Sequence, residues 1–325
     1  MTGNANGDTH RGIHILLQAR RRLGSRAGRT AGRQARTPSG RAHVRGLPGI
    51  AAMTAHRPRV LYVMGFGRSG STVLCIALGR HSAMFNVGEF VSMPTFVAGA
   101  NYVSPRACGC RERIERCPFW SKVGQRTPLG VDTLPPTAGG WRRYMPILPP
   151  TSADLARWGA SNARFFSAVL DVSGAAIAID ASKRADRAYW LWASGDVDLI
   201  PLWLTRDFRA VMRSERRKGR STIKAAVSWW VAQRRAAQLV AKIEARHGKV
   251  IRGSYEEMTA DPRSFLGRIL NDLGLPWSED VLSLQPGHVI GGDHNTKHGG
   301  RMTIERTAAT QSASPSFASY AHPLE

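Results

Sequence analysis

The stretch Val60-Leu61-Tyr62-Val63-Met64-Gly65-Phe66-Gly67-Arg68-Ser69-Gly70-Ser71-Thr72 decides the fold of this 325-residue chain. Its first five residues are apolar and belong to a predicted buried strand over 59–64. A helix is predicted over 70–80. A glycine-rich turn between a strand and a helix points backbone N–H groups and the positive end of the helix dipole at one place, which favours an anion there. The sequence therefore predicts a phosphate or sulfate site in this turn.

The turn departs from the usual triphosphate-binding pattern at one position. Its spacing nearly matches Gly-x-x-x-x-Gly-Lys-Ser/Thr, but Ser71 occupies the place of the lysine that reaches the β- and γ-phosphates. The turn offers Arg68 and the hydroxyls of Ser69, Ser71 and Thr72 instead, a set that can grip one tetrahedral anion without a metal ion. A P-loop kinase or NTPase lacking this lysine stays open as an alternative, with Asp180 as its Walker-B-like carboxylate.

Strands and helices alternate along the rest of the chain. Such alternation predicts an α/β protein, a P-loop-like three-layer fold with a central parallel sheet and helices on both faces. Ligands of such sheets bind beyond the carboxyl ends of the strands. Further strands are predicted at 175–179, 198–204 and 249–252, and further helices at 151–170, 185–193, 207–218, 222–246 and 261–274. The first of these helices is predicted to be capped by Thr151 or Ser152, and the last by Asp261.

The formal charge of +23 is concentrated at the amino end. Residues 1–57 hold eleven arginines and one acidic residue, Asp8, without strand or helix periodicity, so they are predicted to be a disordered tail. Met53 is an alternative start. A basic nucleic-acid-binding protein is a second alternative, but the tail lacks the Phe, Tyr or Trp that stacks on bases, so no specific nucleic acid is expected. The predicted organisation is a tail at 1–57, a domain at 58–305 with a loop-rich Gly/Pro insert at 99–150, and a tail at 306–325.

Cysteine usage and hydropathy bear on the compartment. Four cysteines are too few for a disulfide scaffold and are interpreted as reduced thiols in a cytoplasmic protein. No apolar run approaches the roughly 18 residues that span a bilayer, so no transmembrane segment is predicted. No metal is expected, because two groups of candidate ligands lack the paired spacing of a structural zinc site. They are Cys108, Cys110 and Cys117, and His288, His294 and His298.

The turn resembles a loop of the sulfotransferases that use 3'-phosphoadenosine-5'-phosphosulfate (PAPS). Their 5'-phosphosulfate loop has the form Arg/Lys-Ser-Gly-Thr/Ser-Thr, which stands here as Arg68-Ser69-Gly70-Ser71-Thr72. Bacterial and Golgi-type members carry arginine at the first position, as this chain does. The resemblance extends from residue 58 to about 301 and implies PAPS as co-substrate, with Gly67 and the five loop residues around its 5' end.

A second motif resembles the family's 3'-phosphate site. A strand ends in Thr205-Arg206-Asp207, and Ser214 follows eight residues after Arg206. Lys218 lies four residues further on, so a helix continuing to that point would present Ser214 and Lys218 on one face. The resemblance implies that Arg206, Ser214 and Lys218 hold the 3'-phosphate.

Two C-terminal features complete the resemblance. Tyr255 opens a Tyr-Glu-x-Met segment similar to one that lies near the nucleotide in the family. A late segment resembles the loop that closes over the cofactor with a basic residue, for which Lys297 is the candidate and Arg301 the alternative.

The resemblance also implies catalytic roles. Glu89 stands at a Gly-Glu pair like the one that supplies the base in arginine-type members, and His81 and His288 are alternative bases. Arg68 and Lys183 would offset charge on the leaving group. The insert at 99–150, with its Cys-Pro-Phe-Trp segment, is predicted to face the acceptor, which is a hydroxyl or amine on a small molecule, glycan or lipid. Trp229 and Trp230 are predicted to belong to the core. The acceptor and the oligomeric state stay open.

Overall fold

Five parallel strands form the sheet that organises this chain. They are β1 Arg59–Gly65, β2 Met84–Gly88, β3 Ile177–Lys183, β4 Asp198–Thr205 and β5 Ile251–Ser254. The computed structural model describes residues 57–93, 108, 112, 114, 116–132, 135 and 151–283. Within these residues the strand order is β2-β3-β1-β4-β5, and every neighbouring pair is parallel. The predicted fold class is confirmed.

Apolar cores lie on both faces of the sheet. Successive side chains of β1 alternate between them, because a strand turns neighbouring residues to opposite faces. Val60, Tyr62 and Met64 belong to one core, and Leu61 and Val63 belong to the other; all five are fully buried. A strand buried on both sides has a continuous apolar sequence, which is why 60–64 shows no polar alternation.

Eight described helices cover the sheet. They are α1 Ser71–Leu78, α2 Pro118–Gly124, α3 Ser152–Ser173, α4 Ala185–Ser194, α5 Phe208–Arg216, α6 Thr222–Glu244, α7 Tyr255–Ala260 and α8 Pro262–Asp272. Helices α1, α7 and α8 supply one core, and α2, α3, α4 and the end of α6 supply the other. The predicted caps are confirmed: Thr151 accepts a hydrogen bond from the backbone of Asp154, and Asp261 accepts one from that of Ser264.

The sequence missed one strand and misplaced another. β2 was not predicted, because five residues buried on both faces, Asn86 among them, show neither alternation nor an apolar run. β3 was predicted to stop before Asp180, but this carboxylate lies in mid-strand. It survives there because Arg187 Nε lies 3.0 Å from its Oδ2, both side chains being fully buried. Asp180 is thus held in a buried ion pair, unlike a Walker-B carboxylate that faces a bound metal.

Part of the predicted surface insert belongs to the core. Of residues 99–150, the described ones include α2, whose Phe119 and Trp120 are buried. Phe119 stacks on Phe85 with ring centroids 4.5 Å apart, and Trp120 stacks on Phe165 at 6.1 Å. Trp230 is the opposite case, since it was predicted to be core and lies exposed.

None of the described helices has the length and apolarity that crossing a membrane requires.

Candidate functional site

Each strand of the sheet ends at a residue that the sequence singled out. Arg68 follows β1, Glu89 follows β2, Lys183 ends β3, Arg206 follows β4 and Tyr255 follows β5. Because all five strands are parallel, these residues lie along one edge of the sheet, where α/β proteins bind ligands.

The loop between β1 and α1 has a backbone that only certain residues tolerate. Arg68 and Gly70 have φ values of 72° and 81°, in the left-handed region. A Cβ at Gly70 would also overlap the ring of Tyr255, so glycine is required there for two reasons. The Ser69 hydroxyl donates to the carbonyl of Phe66 at 2.8 Å and so braces the loop from inside.

The amino end of α1 is built to receive an anion. Gly70, its N-cap, provides no side-chain acceptor, and the first turn contains no acidic residue. Ser71 and Thr72 begin the helix, and Ser71 is buried. Side chains accept hydrogen bonds at the amino ends of α3, α5, α6, α7 and α8. The amino end of α1 lacks such a side-chain cap, and the positive end of the helix dipole favours an anion there.

Arg68 and Arg206, which we call the cation cluster, bring the two predicted anion sites together. Arg68 Nε donates to the Ser214 hydroxyl at 2.8 Å, across 146 residues of sequence. Arg206 Nη1 donates to the Arg68 carbonyl at 2.9 Å. The Arg206 guanidinium lies over the ring of Tyr255, 3.9 Å from its centroid. The residues predicted for the 5' and 3' ends of the nucleotide are therefore in direct contact with each other.

The cation cluster carries more positive charge than its neighbours neutralise. Burial lowers the pKa of Arg68, and nearby Arg206, Arg217 and Arg220 lower it further, against the opposing carboxylate of Glu215. Arg206 Nε is buried and has no hydrogen-bond partner among the described residues. A buried, unpaired cationic donor is costly, and an anion bound beside it would remove that cost.

Several predicted residues are not part of this arrangement. Lys218 lies in the exposed turn after α5, because that helix ends at Arg216 and not at residue 218. His81, an alternative base, is buried with Nε2 3.0 Å from the Pro276 carbonyl and Nδ1 accepting from the backbone of Ala83, so it is unsuitable. Lys297, Arg301 and His288 lie outside the described residues.

Glu89 and Lys183 meet at the ends of β2 and β3. Lys183 Nζ lies 2.6 Å from Glu89 Oε1, and the side chains are 15% and 32% exposed respectively. Lys183 reaches this position from a left-handed backbone with φ 64°. A charge-assisted hydrogen bond of this length holds both side chains in place.

A cleft of about 270 Å³ opens beside the loop and Lys183. One wall is an ion-paired group in which Arg184 Nε donates to Asp186 Oδ1 at 3.0 Å and Arg235 Nη1 lies 3.5 Å from Oδ2. Burial opposes ionisation of Asp186, but the hydrogen bond and charge of Arg184, with Arg235, outweigh it and lower the pKa of this carboxyl. The cleft is lined by Gly65, Phe66, Gly67, Lys183, Arg184, Ala185, Asp186, Ser228, Val231, Ala232 and Arg235.

Sequence reasoning missed the ion-paired wall of this cleft. Asp186 stands one residue inside a predicted helix and Arg235 stands in the middle of another, so both read as ordinary solvent-facing charges. Only the packing of α6 against α4 brings them together, and no local pattern signals it. Among the described residues, no three His, Cys, Asp or Glu side chains are grouped as metal ligands.

Solved structures similar to this chain include three sulfotransferases. The sulfotransferase domain from the curacin biosynthetic pathway is 12% identical over 81% of this chain and 95% of its own, with a TM-score of 0.46. That of the Synechococcus PCC 7002 olefin synthase is 18% identical over 83% and 98%, with a TM-score of 0.44. A sulfotransferase from Mycobacterium avium is 13% identical over 81% and 79%, with a TM-score of 0.42. No family model and no curated protein matches the chain. Because similarity at this level does not decide an activity, function is inferred from the site itself.

Proposed function

We propose that this protein is a sulfotransferase that moves the sulfuryl group of PAPS to a hydroxyl or amine of an acceptor. One observation carries the proposal: Arg68 of the first loop, Ser214 of α5 and Arg206 after β4 are joined by hydrogen bonds of 2.8 and 2.9 Å. A nucleotide with phosphate groups at both its 5' and 3' ends needs two anion sites, and ADP or ATP needs only the first.

The chemistry of these residues fits such a nucleotide. The first turn of α1, with Ser71 and Thr72, would hold the 5'-phosphosulfate, and Arg206 and Ser214 would hold the 3'-phosphate. The buried Nε of Arg206 and the lowered pKa of Arg68 support an anion here. The kinase alternative is weaker, because Asp180 is committed to Arg187 and position 71 is serine.

Transfer requires a base and charge stabilisation. The acceptor oxygen or nitrogen forms a new bond to sulfur while the bond from sulfur to the bridging oxygen of the nucleotide breaks, leaving 3'-phosphoadenosine 5'-phosphate (PAP). Glu89 would take the acceptor proton, and the cations of Arg68 and Lys183 would stabilise the negative charge that builds on the bridging oxygen. The contact between Glu89 and Lys183 would hold both groups where the reaction needs them.

The acceptor would enter the cleft. Its lining includes Gly65–Gly67 of the loop proposed to bind the donor, and Lys183, whose Nζ contacts the proposed base Glu89. The cleft offers apolar contacts from Phe66 and Val231 beside its ion-paired wall. A small acceptor, or one end of a glycan or lipid, suits a volume of about 270 Å³.

A transfer assay tests this function. The purified chain is incubated with ³⁵S-labelled PAPS and pooled small-molecule, glycan and lipid acceptors, and labelled products are identified by mass spectrometry. A parallel reaction contains γ-labelled ATP with magnesium. We expect label to move from PAPS alone. Transfer from ATP, or no product from PAPS despite bound nucleotide, contradicts the proposal.

A further inference from the structure

A stripe of apolar side chains runs along the exposed face of α6. Ile223, Val227 and Trp230 are 78%, 48% and 52% exposed, and they are three of the four large hydrophobic residues exposed in the described chain. Their spacing of four and three residues places them on one face of the helix. Arg234 extends the same face, with its guanidinium 5.2 Å from the Trp230 ring centroid. The fourth exposed residue, Phe208, packs its ring against Trp229.

Exposed cations lie on the helix that carries the stripe, in the turn before it and on the preceding helix α5. Residues 207–235 contain two acidic residues, and both are paired: Asp207 caps α5 and lies 3.6 Å from Arg209, and Glu215 is buried and lies 3.0 Å from Arg220. The exposed charge of this hairpin of α5 and α6 is therefore positive. Besides Arg234, the exposed cations of residues 207–235 are Arg209, Arg213, Arg216, Arg217, Lys218, Arg220 and Lys224, of which Arg217 and Arg220 also act on Arg68.

The hairpin is anchored to the candidate site. Val211, Met212 and Ala225 form a small core of their own, against which Phe66 of the phosphate loop and Trp229 pack. The apolar stripe therefore lies on a helix fixed to the loop and is not part of a loose segment. The cleft-lining residues Ser228, Val231, Ala232 and Arg235 belong to the neighbouring face of the same helix.

We propose that this surface docks on an anionic lipid bilayer, with the stripe in the headgroup region and the cations on the lipid phosphates. A bilayer interface takes apolar side chains and cations together, and tryptophan is a preferred residue there. A polyanion in water, such as a nucleic acid or a sulfated glycan, would satisfy the cations alone and leave the mostly exposed Ile223 in water. The combination of stripe and charge therefore favours the membrane.

Vesicle binding by the full chain tests the proposal. Binding to phosphatidylcholine vesicles with and without phosphatidylglycerol is measured by flotation, and tryptophan emission is recorded on the same samples. One variant carries Ile223→Gln, Val227→Gln and Trp230→Gln; a second carries Arg209→Gln, Arg213→Gln and Arg216→Gln. The matched control neutralises three exposed cations on α2 and α3 and their connection: Lys122→Gln, Arg126→Gln and Arg164→Gln.

We expect binding to anionic vesicles with a blue-shifted emission. Each neutralised cation of the hairpin should weaken it about fivefold, so the triple variant loses on the order of a hundredfold. The stripe variant should lose at least about tenfold and most of the blue shift, and the control should change by less than about threefold.

Several outcomes overturn the proposal. Absence of vesicle binding does so directly. Binding unaffected by the stripe variant assigns it to another part of the chain, such as the arginine-rich residues 1–57. Binding to heparin is measured on the same variants. If the stripe variant keeps its vesicle affinity and only the arginine variant loses heparin binding, the surface binds polyanions instead.

Discussion

The two halves of the candidate site handle charge in opposite ways. In the cation cluster, Arg68 and Arg206 hydrogen-bond to a hydroxyl and a carbonyl, and Arg206 Nε has no partner among the described residues. On the side of the cleft, Lys183 pairs with Glu89, and Asp186 pairs with Arg184 and Arg235. Both halves lie at the same edge of one sheet, so the difference reflects local composition.

The two halves are therefore suited to different tasks, the cation cluster to binding an anion and the ion-paired residues to positioning groups. Arg68 is exposed and the half-buried Arg206 has a buried Nε without a partner among the described residues, so the cation cluster is suited to hold an added anion. Ion-paired residues gain little from an added charge, but they are rigid, which suits groups that must accept or stabilise a proton or charge at a fixed place. The two halves should therefore respond differently to substitution.

Replacing the proposed base should have the largest effect. Glu89→Gln keeps an oxygen that accepts from Lys183 but cannot take a proton, so turnover should fall by roughly 10²–10⁴-fold. Binding of PAP should stay within about twofold, because the cation cluster is untouched. Steady-state kinetics and calorimetry measure the two quantities, with Glu244→Gln, an exposed glutamate on α6, as control. Full turnover of the variant would assign the base elsewhere.

The second-largest effect is expected on the free energy of unfolding, when the ion-paired wall of the cleft is broken. Asp186→Asn leaves two partly buried guanidinium groups, those of Arg184 and Arg235, without their carboxylate and should reduce the free energy of unfolding by about 3 kcal/mol at pH 7. Because the pKa of Asp186 is lowered in the folded state, its contribution is present above the unfolded value of about 3.9 and is lost as pH falls through the folded value. Urea unfolding at a series of pH values should show the gap between wild type and variant closing below about pH 4. A gap that stays constant would indicate lost packing instead of lost charge.

A substitution in the cation cluster should lower nucleotide affinity and have a smaller effect on stability. Arg206→Ala removes a charge-assisted contact worth roughly 1.5–3 kcal/mol, so PAP affinity should fall about 10- to 150-fold. Its midpoint of unfolding should shift less than that of Asp186→Asn, because losing one cation also relieves repulsion from Arg68. The control is Arg209→Ala, three residues away with a side chain 83% exposed. Equal losses in both variants would indicate general charge attraction.

Lys218 should have the smallest effect. The structure places it in the exposed turn beyond α5, so Lys218→Ala should weaken PAP binding by less than about threefold. A loss as large as that of Arg206→Ala would mean that the turn closes over the nucleotide when it binds.

Much of this architecture could be predicted from local sequence. The apolar run at 60–64, the glycine turn and the caps at Thr151 and Asp261 use patterns that depend on near neighbours, and each was confirmed. Two boundaries failed. Asp180 reads as a strand end until the buried Arg187 beside it is known, and α5 stops at Arg216 although the sequence remains basic to Lys218.

For the candidate site, too, the local pattern could be read from the sequence and the long-range contacts could not. Its residues were recognisable because they follow strands and match a family motif, but their partners were not. The hydrogen bond from Arg68 to Ser214 spans 146 residues, and that between Lys183 and Glu89 spans 94. Trp230 was assigned to the core because amphipathic periodicity identifies an apolar face without saying what covers it.

The most direct test of the two-site account is calorimetry of the wild-type chain with PAP and with ADP, each with and without magnesium. These nucleotides differ in the 3'-phosphate, which is the group assigned to Arg206 and Ser214. The account predicts that PAP binds at least about tenfold more tightly than ADP, that magnesium changes neither affinity, and that Arg206→Ala removes most of the preference. Equal affinities for PAP and ADP, or tight ATP binding that requires magnesium, would contradict it.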